Sequence, residues 1–245
     1  MILAITFFLV IVTGCPGADP NYAHHAVVQI PSHGGSGVVV RTETTQERSF
    51  ILTAAHLFIE TDSRGRSLRD FRQKPIRLMV PTPKRNAPSK KVGVHLVAID
   101  VEKDLALLEV NLGKLPYVAP VAPPGHSATG KLLSVGYDEM RRPPQVRSAR
   151  IVGTYGNTTF TDTAPWHGRS GGALIDPKTG YTIGIVSGYE SLGPPNGPPR
   201  PGRGIYVSLG AIHQFLRNAG KPKRPTIPPP IPHYPACPGG ICPLR

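Results

Sequence analysis

From Ala26 onward the chain is cut into short apolar runs, nearly every one closed by Gly, Pro, Ser or a charged residue. Val27-Val28-Gln29-Ile30, Gly37-Val38-Val39-Val40 and Phe50-Ile51-Leu52 open the series. Further runs read at 76–80, 92–101, 105–110, 132–136, 149–155, 172–175, 182–187 and 204–207. Runs of this length, rich in Val and Ile and bounded by turn residues, predict strands at short intervals and disfavour a helical bundle. Only 209–218 has helical spacing, with Ile212, Phe215 and Leu216 at i, i+3 and i+4 and Gly220 as a stop. The expectation is an all-β chain of two lobes, about 22–115 and 120–210, followed by a C-terminal helix.

Outside that body the two ends read differently. Residues 2–12 are apolar, too short to span a bilayer and of the size of a signal-peptide core, although no Lys or Arg precedes them. A signal peptide over 1–15 predicts a secreted, periplasmic or cell-surface protein. Val12-Thr13-Gly14-Cys15 is similar to a bacterial lipoprotein processing box, which would anchor the chain by lipid at Cys15; ordinary secretion and a buried N-terminal strand stand beside that reading. Residues 221–245 hold nine prolines in 25 and no apolar periodicity, which predicts an extended polyproline-type tail. With Cys15 lipidated or removed, Cys237 and Cys242 remain as a pair, and we favour a small disulfide across Pro238-Gly239-Gly240-Ile241 that contributes little to the core.

The net charge of +13 invites nucleic acid, but its distribution argues against that reading. Between Arg64 and Lys91 stand ten Lys or Arg and one acid, and 217–245 holds five Lys or Arg and no acid, so the remainder is close to neutral. A basic insertion and a basic tail suit retention near anionic envelope or cell-surface polymers, with no specific nucleic-acid partner.

Three strings carry chemistry. Gly168-Arg169-Ser170-Gly171-Gly172 sets a serine in a glycine run before the apolar Ala173-Leu174-Ile175. A serine hydroxyl is a weak nucleophile at neutral pH and needs a base and a donor pocket for the oxyanion. Thr53-Ala54-Ala55-His56 follows a predicted strand and offers an imidazole at its end. Lys103-Asp104-Leu105-Ala106-Leu107-Leu108 brings an acid to the start of another. Each string alone has a plain reading, as a turn, a satisfied structural histidine and a strand-start residue.

Together and in this order, with Gly35-Ser36-Gly37-Val38-Val39-Val40 before them and Ile183-Gly184-Ile185-Val186-Ser187-Gly188 after, they resemble the chymotrypsin-like serine endopeptidases, in particular the bacterial trypsin-like and HtrA-type branch. The resemblance covers 26–218 and implies two six-stranded antiparallel β-barrels with a C-terminal helix. It implies Ser170 as nucleophile, His56 as general base and acid, and Asp104 as the group that orients the imidazole, without metal or organic cofactor. The oxyanion hole would be the N–H groups of Gly168 and Ser170. Substrate binding would fall on Ala164, Ser187, Gly188 and Tyr189, with cleavage of protein or peptide after small or medium apolar residues and Asp162 nearby. Arg169 departs from the small or polar residues commoner at its place, and its side chain is expected to crowd or charge the leaving-group side. There is no Ile-Val-Gly-Gly activation string, so assembly on folding is expected, and too little chain follows the helix for a PDZ domain. The rival reading is a catalytically silent module that binds polypeptide or anionic polymer. His24, His25, His33, His95, His126, His167, His213 and His233 lack metal-ligand spacing; His167 is near enough to Ser170 to line a cleft.

Overall fold

In the computed structural model, which describes residues 23–43, 48–61, 67–72, 74–80, 90–110, 115, 117–191 and 201–219, the apolar runs form strands of two antiparallel sheets. The segment 1–15 expected to be a signal peptide, Cys15, Cys237, Cys242 and the proline-rich residues 221–245 lie outside the described residues. So does part of the basic insertion.

The first sheet is built from β1 (Val27–Ile30), β2 (Gly35–Glu43), β3 (Arg48–Thr53), β6 (Arg77–Val80), β7 (Lys90–Gly93), β8 (His95–Asp100) and β9 (Leu105–Val110), in the order β7-β6-β1-β2-β3-β9-β8. A small separate hairpin joins β4 (Ile59–Thr61) and β5 (Ser67–Asp70). The second sheet holds β10 (Leu132–Gly136), β11 (Gln145–Ala149), β12 (Ile151–Tyr155), β13 (Thr158–Thr161), β14 (Ala173–Ile175), β15 (Thr182–Ser191) and β16 (Pro201–Ser208), in the order β11-β10-β14-β15-β16-β13-β12.

In each sheet the two edge strands are neighbours in the chain. β7 and β8 are separated by Val94 alone, and β11 and β12 by Arg150 alone. A single residue cannot reach across a flat sheet, so each sheet curls until its edges approach. Bulges between Val39 and Arg41, Leu96 and Ala98, and Val186 and Gly188 supply local bending. The run 92–101, read in the sequence as a single strand, is therefore a bent one whose parts pair at opposite edges; the run 149–155 is β12 with only the last residue of β11, whose residues 145–148 were not read as strand. Counted by hydrogen bonding each sheet has seven strands; counted with the bent strand as one, each lobe has the expected six. β13 and the β4–β5 hairpin had no apolar run to announce them.

The larger core cluster spans both lobes, from Val27, Val38, Ile51, Leu52 and Leu108 to Val135, Ile175, Ile185 and Val207, and a smaller one in the second lobe holds Leu132, Leu174, Ile183 and Tyr206. The helix α1 (Leu209–Ala219) covers one end of the larger cluster with Ala211, Ile212 and Phe215. Ser208 Oγ accepts a hydrogen bond from the Ala211 N–H at 3.4 Å and so caps the first turn.

Candidate functional site

His56 sits in a short 3-10 turn, Ala55–Leu57, that starts where β3 ends. Thr53, Ala54 and Ala55 before it and Leu57 and Phe58 after it are buried, so the flanking side chains hold the turn down and leave the imidazole, 41% exposed, in solvent. Asp104 precedes β9, whose register against β3 pairs Thr53 with Ala106. Carried two residues further, that antiparallel register sets Asp104 beside Ala55, in the turn of His56. Asp104 has φ 54, a left-handed conformation that Asp tolerates better than most residues.

The Asp104 carboxylate is the centre of a converging set. Its Oδ1 and Oδ2 lie 3.0 and 2.9 Å from His56 Nδ1, and Oδ1 also accepts the His56 backbone N–H at 2.9 Å. Ser187 Oγ, on β15 of the other lobe, donates to Oδ2 at 2.5 Å. With Nδ1 donating to a carboxylate, the Nε2 of a neutral ring is left as an acceptor.

Ser170 comes to this place through its backbone. Its carbonyl accepts the Ser36 N–H at 2.8 Å, the Gly171 N–H donates to Val186 at 2.8 Å, and the Val186 N–H returns to Gly172 at 2.8 Å. The loop is thus stitched to β2 on one side and β15 on the other. Gly171 has φ 79, and a Cβ there would collide with Thr53 Oγ1 and the Ser36 carbonyl, so glycine alone lets the loop lie against the end of β3 next to His56. Gly168, at φ 85, is equally constrained: a Cβ would stand 2.5 Å from the Tyr137 carbonyl oxygen. Among the described residues the N–H groups of Gly168 and Ser170 donate to no protein acceptor, and neither Ser170 Oγ nor His56 Nε2 makes a hydrogen bond. Contacts between nucleophile and base are commonly loose before substrate arrives.

Of the residues expected to bind substrate, Ser187, Gly188 and Tyr189 run along β15, with nothing within 4 Å of a Cβ built on Gly188. The Tyr189 ring meets His167 edge-on at 6.0 Å between centroids, and Ala164 is half-buried ahead of Ser170. The nearby Asp162 carboxylate accepts the Arg150 N–H at 2.8 Å and Thr163 Oγ1 at 3.1 Å, so it is bound into its own loop.

Arg169 corrects an expectation. Its side chain does not reach the leaving-group side: it is 0% exposed, turned inward under the loop, with Nε and Nη2 on the two oxygens of Asp138 at 2.7 and 2.9 Å. A guanidinium excluded from water is tolerated only with such pairing. Neither Asp138 nor Ser36 was singled out as a functional residue from the sequence. Ser36 stands within the Gly35-Ser36-Gly37 string, whereas nothing around Asp138 announces its partner. Two other titratable groups border this region: burial raises the phenols of Tyr137 and Tyr206 above their ordinary value of 10.0, more strongly than Arg142 lowers the first or Ser134 the second. Other histidines have structural partners, His126 on Asp176 at 3.0 Å and His213 on the Ala122 carbonyl at 2.8 Å. Among the described residues no group of three or more His, Cys, Asp or Glu could hold a metal ion.

Two curled antiparallel sheets with a His–Asp pair and a glycine-flanked serine between them define a chymotrypsin-like protein. The model of the trypsin-like peptidase domain matches residues 35–185, more than half of the chain, and the chain belongs to that family. Comparison with curated proteins returned no match. Among solved structures the chain is similar to the HtrA-type protease AlgW with decapeptide, at 24% identity and TM-score 0.55 over 76% of this chain and 51% of that one. It is similar also to the Rv3671c protease of M. tuberculosis in its inactive form, at 19% identity and TM-score 0.59 over 84% and 94%. A serine endoprotease from Yersinia pestis aligns at 22% identity and TM-score 0.58 over 82% and 66%. The chain thus spans about half the length of AlgW.

Proposed function

We propose that the chain is a serine endopeptidase in which Ser170 attacks the scissile carbonyl, His56 takes the hydroxyl proton and later gives it to the leaving amine, and Asp104 holds the imidazole in the tautomer that leaves Nε2 free. The oxyanion of the tetrahedral intermediate would be received by the N–H groups of Gly168 and Ser170, which have no acceptor among the described residues. The observation that carries this reading is the Asp104 carboxylate, shared between His56 and Ser187 beside the Ser170 loop. A fluorophosphonate probe tests it: Ser170 Oγ forms the bond to phosphorus, fluoride leaves and His56 accepts the proton. Labelling of the wild type that disappears in Ser170→Ala supports the assignment; a folded wild type that does not label rejects it.

For the residue before the scissile bond, Ala164 and the edge-on Tyr189 and His167 rings favour a narrow, uncharged site for small or medium apolar side chains. A cleavage profile dominated by Lys or Arg would sink that assignment. The basic insertion retains the enzyme at anionic envelope polymers in this reading. Lys74 and Arg77 of that insertion line a hollow of about 440 Å³ with Pro31, Ser32, Pro75 and Met79. Surface retention unchanged by high salt removes that part. Secretion through 1–15, either with a lipid on Cys15 or by ordinary cleavage, and a Cys237–Cys242 disulfide complete the proposal; mass spectrometry of the mature chain reads which of these holds.

The unmade contact between Ser170 Oγ and His56 Nε2 favours one rival, a catalytically silent module that binds polypeptide or anionic polymer through the same cleft. Peptide binding without probe labelling would decide for it.

A further inference from the structure

Arg169 stands between the two residues whose N–H groups have no acceptor among the described residues, and its side chain is the largest fully buried one in the described protein. Its guanidinium meets Asp138 as a fork, and Nη1 adds the Ser134 carbonyl at 2.7 Å and Ser134 Oγ at 3.2 Å. Tyr206 donates its hydroxyl to the same Ser134 Oγ at 2.7 Å. The seat is shaped to the side chain, since a Cβ on Gly136 would come within 2.5 Å of Arg169 Cγ.

Asp138 belongs to the turn that supports the other end of the Gly168–Ser170 segment. Glu139 donates its N–H to the His167 carbonyl at 2.6 Å, and Trp166 Nε1 donates to Glu139 Oε1 at 3.0 Å. Glu139 and Met140 both hold positive φ, at 46 and 60, in a turn that bears against Gly168. From the first lobe Ser36 Oγ donates to the Gly168 carbonyl at 2.9 Å and accepts the Tyr137 N–H at 2.9 Å, tying loop and turn together. Arg147 closes the outer side of Asp138, with Nη2 at 2.7 Å from Oδ2. The peptide planes on both sides of Arg169 are therefore held through its side chain and through Ser36. An unpaired guanidinium could not stay in this dry site, so the loop leaves its conformation only by breaking the pair.

We propose that the buried Arg169–Asp138 pair is the positioning device for the Gly168 and Ser170 N–H donors, supplied within the second lobe itself and made on folding without a cleaved chain terminus. The proposal rests on the serine-peptidase reading. Both residues are positioning residues, and neither touches the substrate.

The maximal inactivation rate of a fluorophosphonate, kinact, and its half-saturating concentration, KI, test it on the full chain. Arg169→Met leaves Asp138 paired with Arg147, and the double variant Asp138→Asn with Arg169→Met leaves no buried charge between the two positions. Both are expected to fold with wild-type circular dichroism, to lose about 10² to 10³ in kinact, the scale of one missing oxyanion donor, and to keep KI within about threefold. A folded variant that reacts within about threefold of the wild-type kinact overturns the proposal. Failure of both variants to fold assigns the pair to the stability of the lobe and overturns a separate positioning role. An unreactive wild type rejects the peptidase reading instead, before either variant is considered.

Discussion

Ser187 Oγ donates to Asp104 Oδ2 at 2.5 Å across the boundary between the lobes. The same oxygen lies 2.9 Å from His56 Nδ1, so one atom joins the second lobe to both members of the His–Asp pair of the first. Hydrogen bonds to a charged group contribute about 1.5–3 kcal/mol, and this one acts on the group that orients the imidazole. Ser187→Ala is expected to slow acylation by about tenfold to a hundredfold through a misplaced Asp104. Stopped-flow labelling with a fluorophosphonate measures it, and an unchanged rate would show that His56 alone holds the carboxylate.

Asp104→Asn isolates the charge and tautomer effect. Asn tolerates the left-handed φ of 54 that Asp104 adopts, so the turn into β9 is kept. The amide can present its NH2 to Nδ1, which then keeps its lone pair and moves the ring proton to Nε2, where it blocks acceptance from Ser170. A loss on the order of 10⁴ in turnover is expected, with melting temperature near wild type. Retention of a tenth or more of the activity would remove Asp104 from the mechanism.

Tyr189 and His167 face each other edge-on at 6.0 Å, next in the chain to Gly188, where a Cβ would meet nothing within 4 Å, and in the proposed reading they bound the substrate site. Removing one ring should widen the site rather than damage the chemistry. Tyr189→Ala is expected to shift a peptide-library profile from small or medium apolar residues toward Leu, Met and Phe, by about tenfold in relative kcat/KM, the scale of one or two added methylenes. An unaltered profile means that the pocket is bounded elsewhere.

The strand runs and the three motif strings were legible because their information is local. Phe50-Ile51-Leu52 followed by small residues and His56 describes a buried strand and its exposed end within seven positions. The bent strands were not legible: Arg150 carries neither Gly nor Pro to mark the break between β11 and β12, and the bend follows from barrel closure, a property of the whole lobe. β13 escaped because Thr158-Thr159-Phe160-Thr161 has one apolar residue. Arg169 was misplaced for a related reason. Alone, an arginine beside a nucleophile is expected in solvent, and only the arrival of Asp138, 31 residues away, makes its burial affordable.

The network under the loop also has an alkaline limit. Burial raises the Tyr206 phenol above its ordinary 10.0, outweighing the lowering by the Ser134 hydrogen bond and Arg169, and burial raises Tyr137 as well. A phenol whose folded value is raised keeps its proton after the unfolded chain has lost it. Its share of stability is therefore complete below pH 10 and is lost as pH rises above that toward the folded value, at up to about 1.4 kcal/mol per pH unit for each group. Tyr206→Phe removes one such group and the hydrogen bond to Ser134 Oγ, which keeps its contact with Arg169 Nη1. At pH 7 the variant is expected to be destabilised by about 1 kcal/mol, a fall of about 2–4 °C in melting temperature. Between pH 10 and 11 its stability should decline less steeply than that of the wild type, so the two curves converge. Parallel curves in urea titrations over that interval would mean that Tyr206 is not the group that ionises on unfolding.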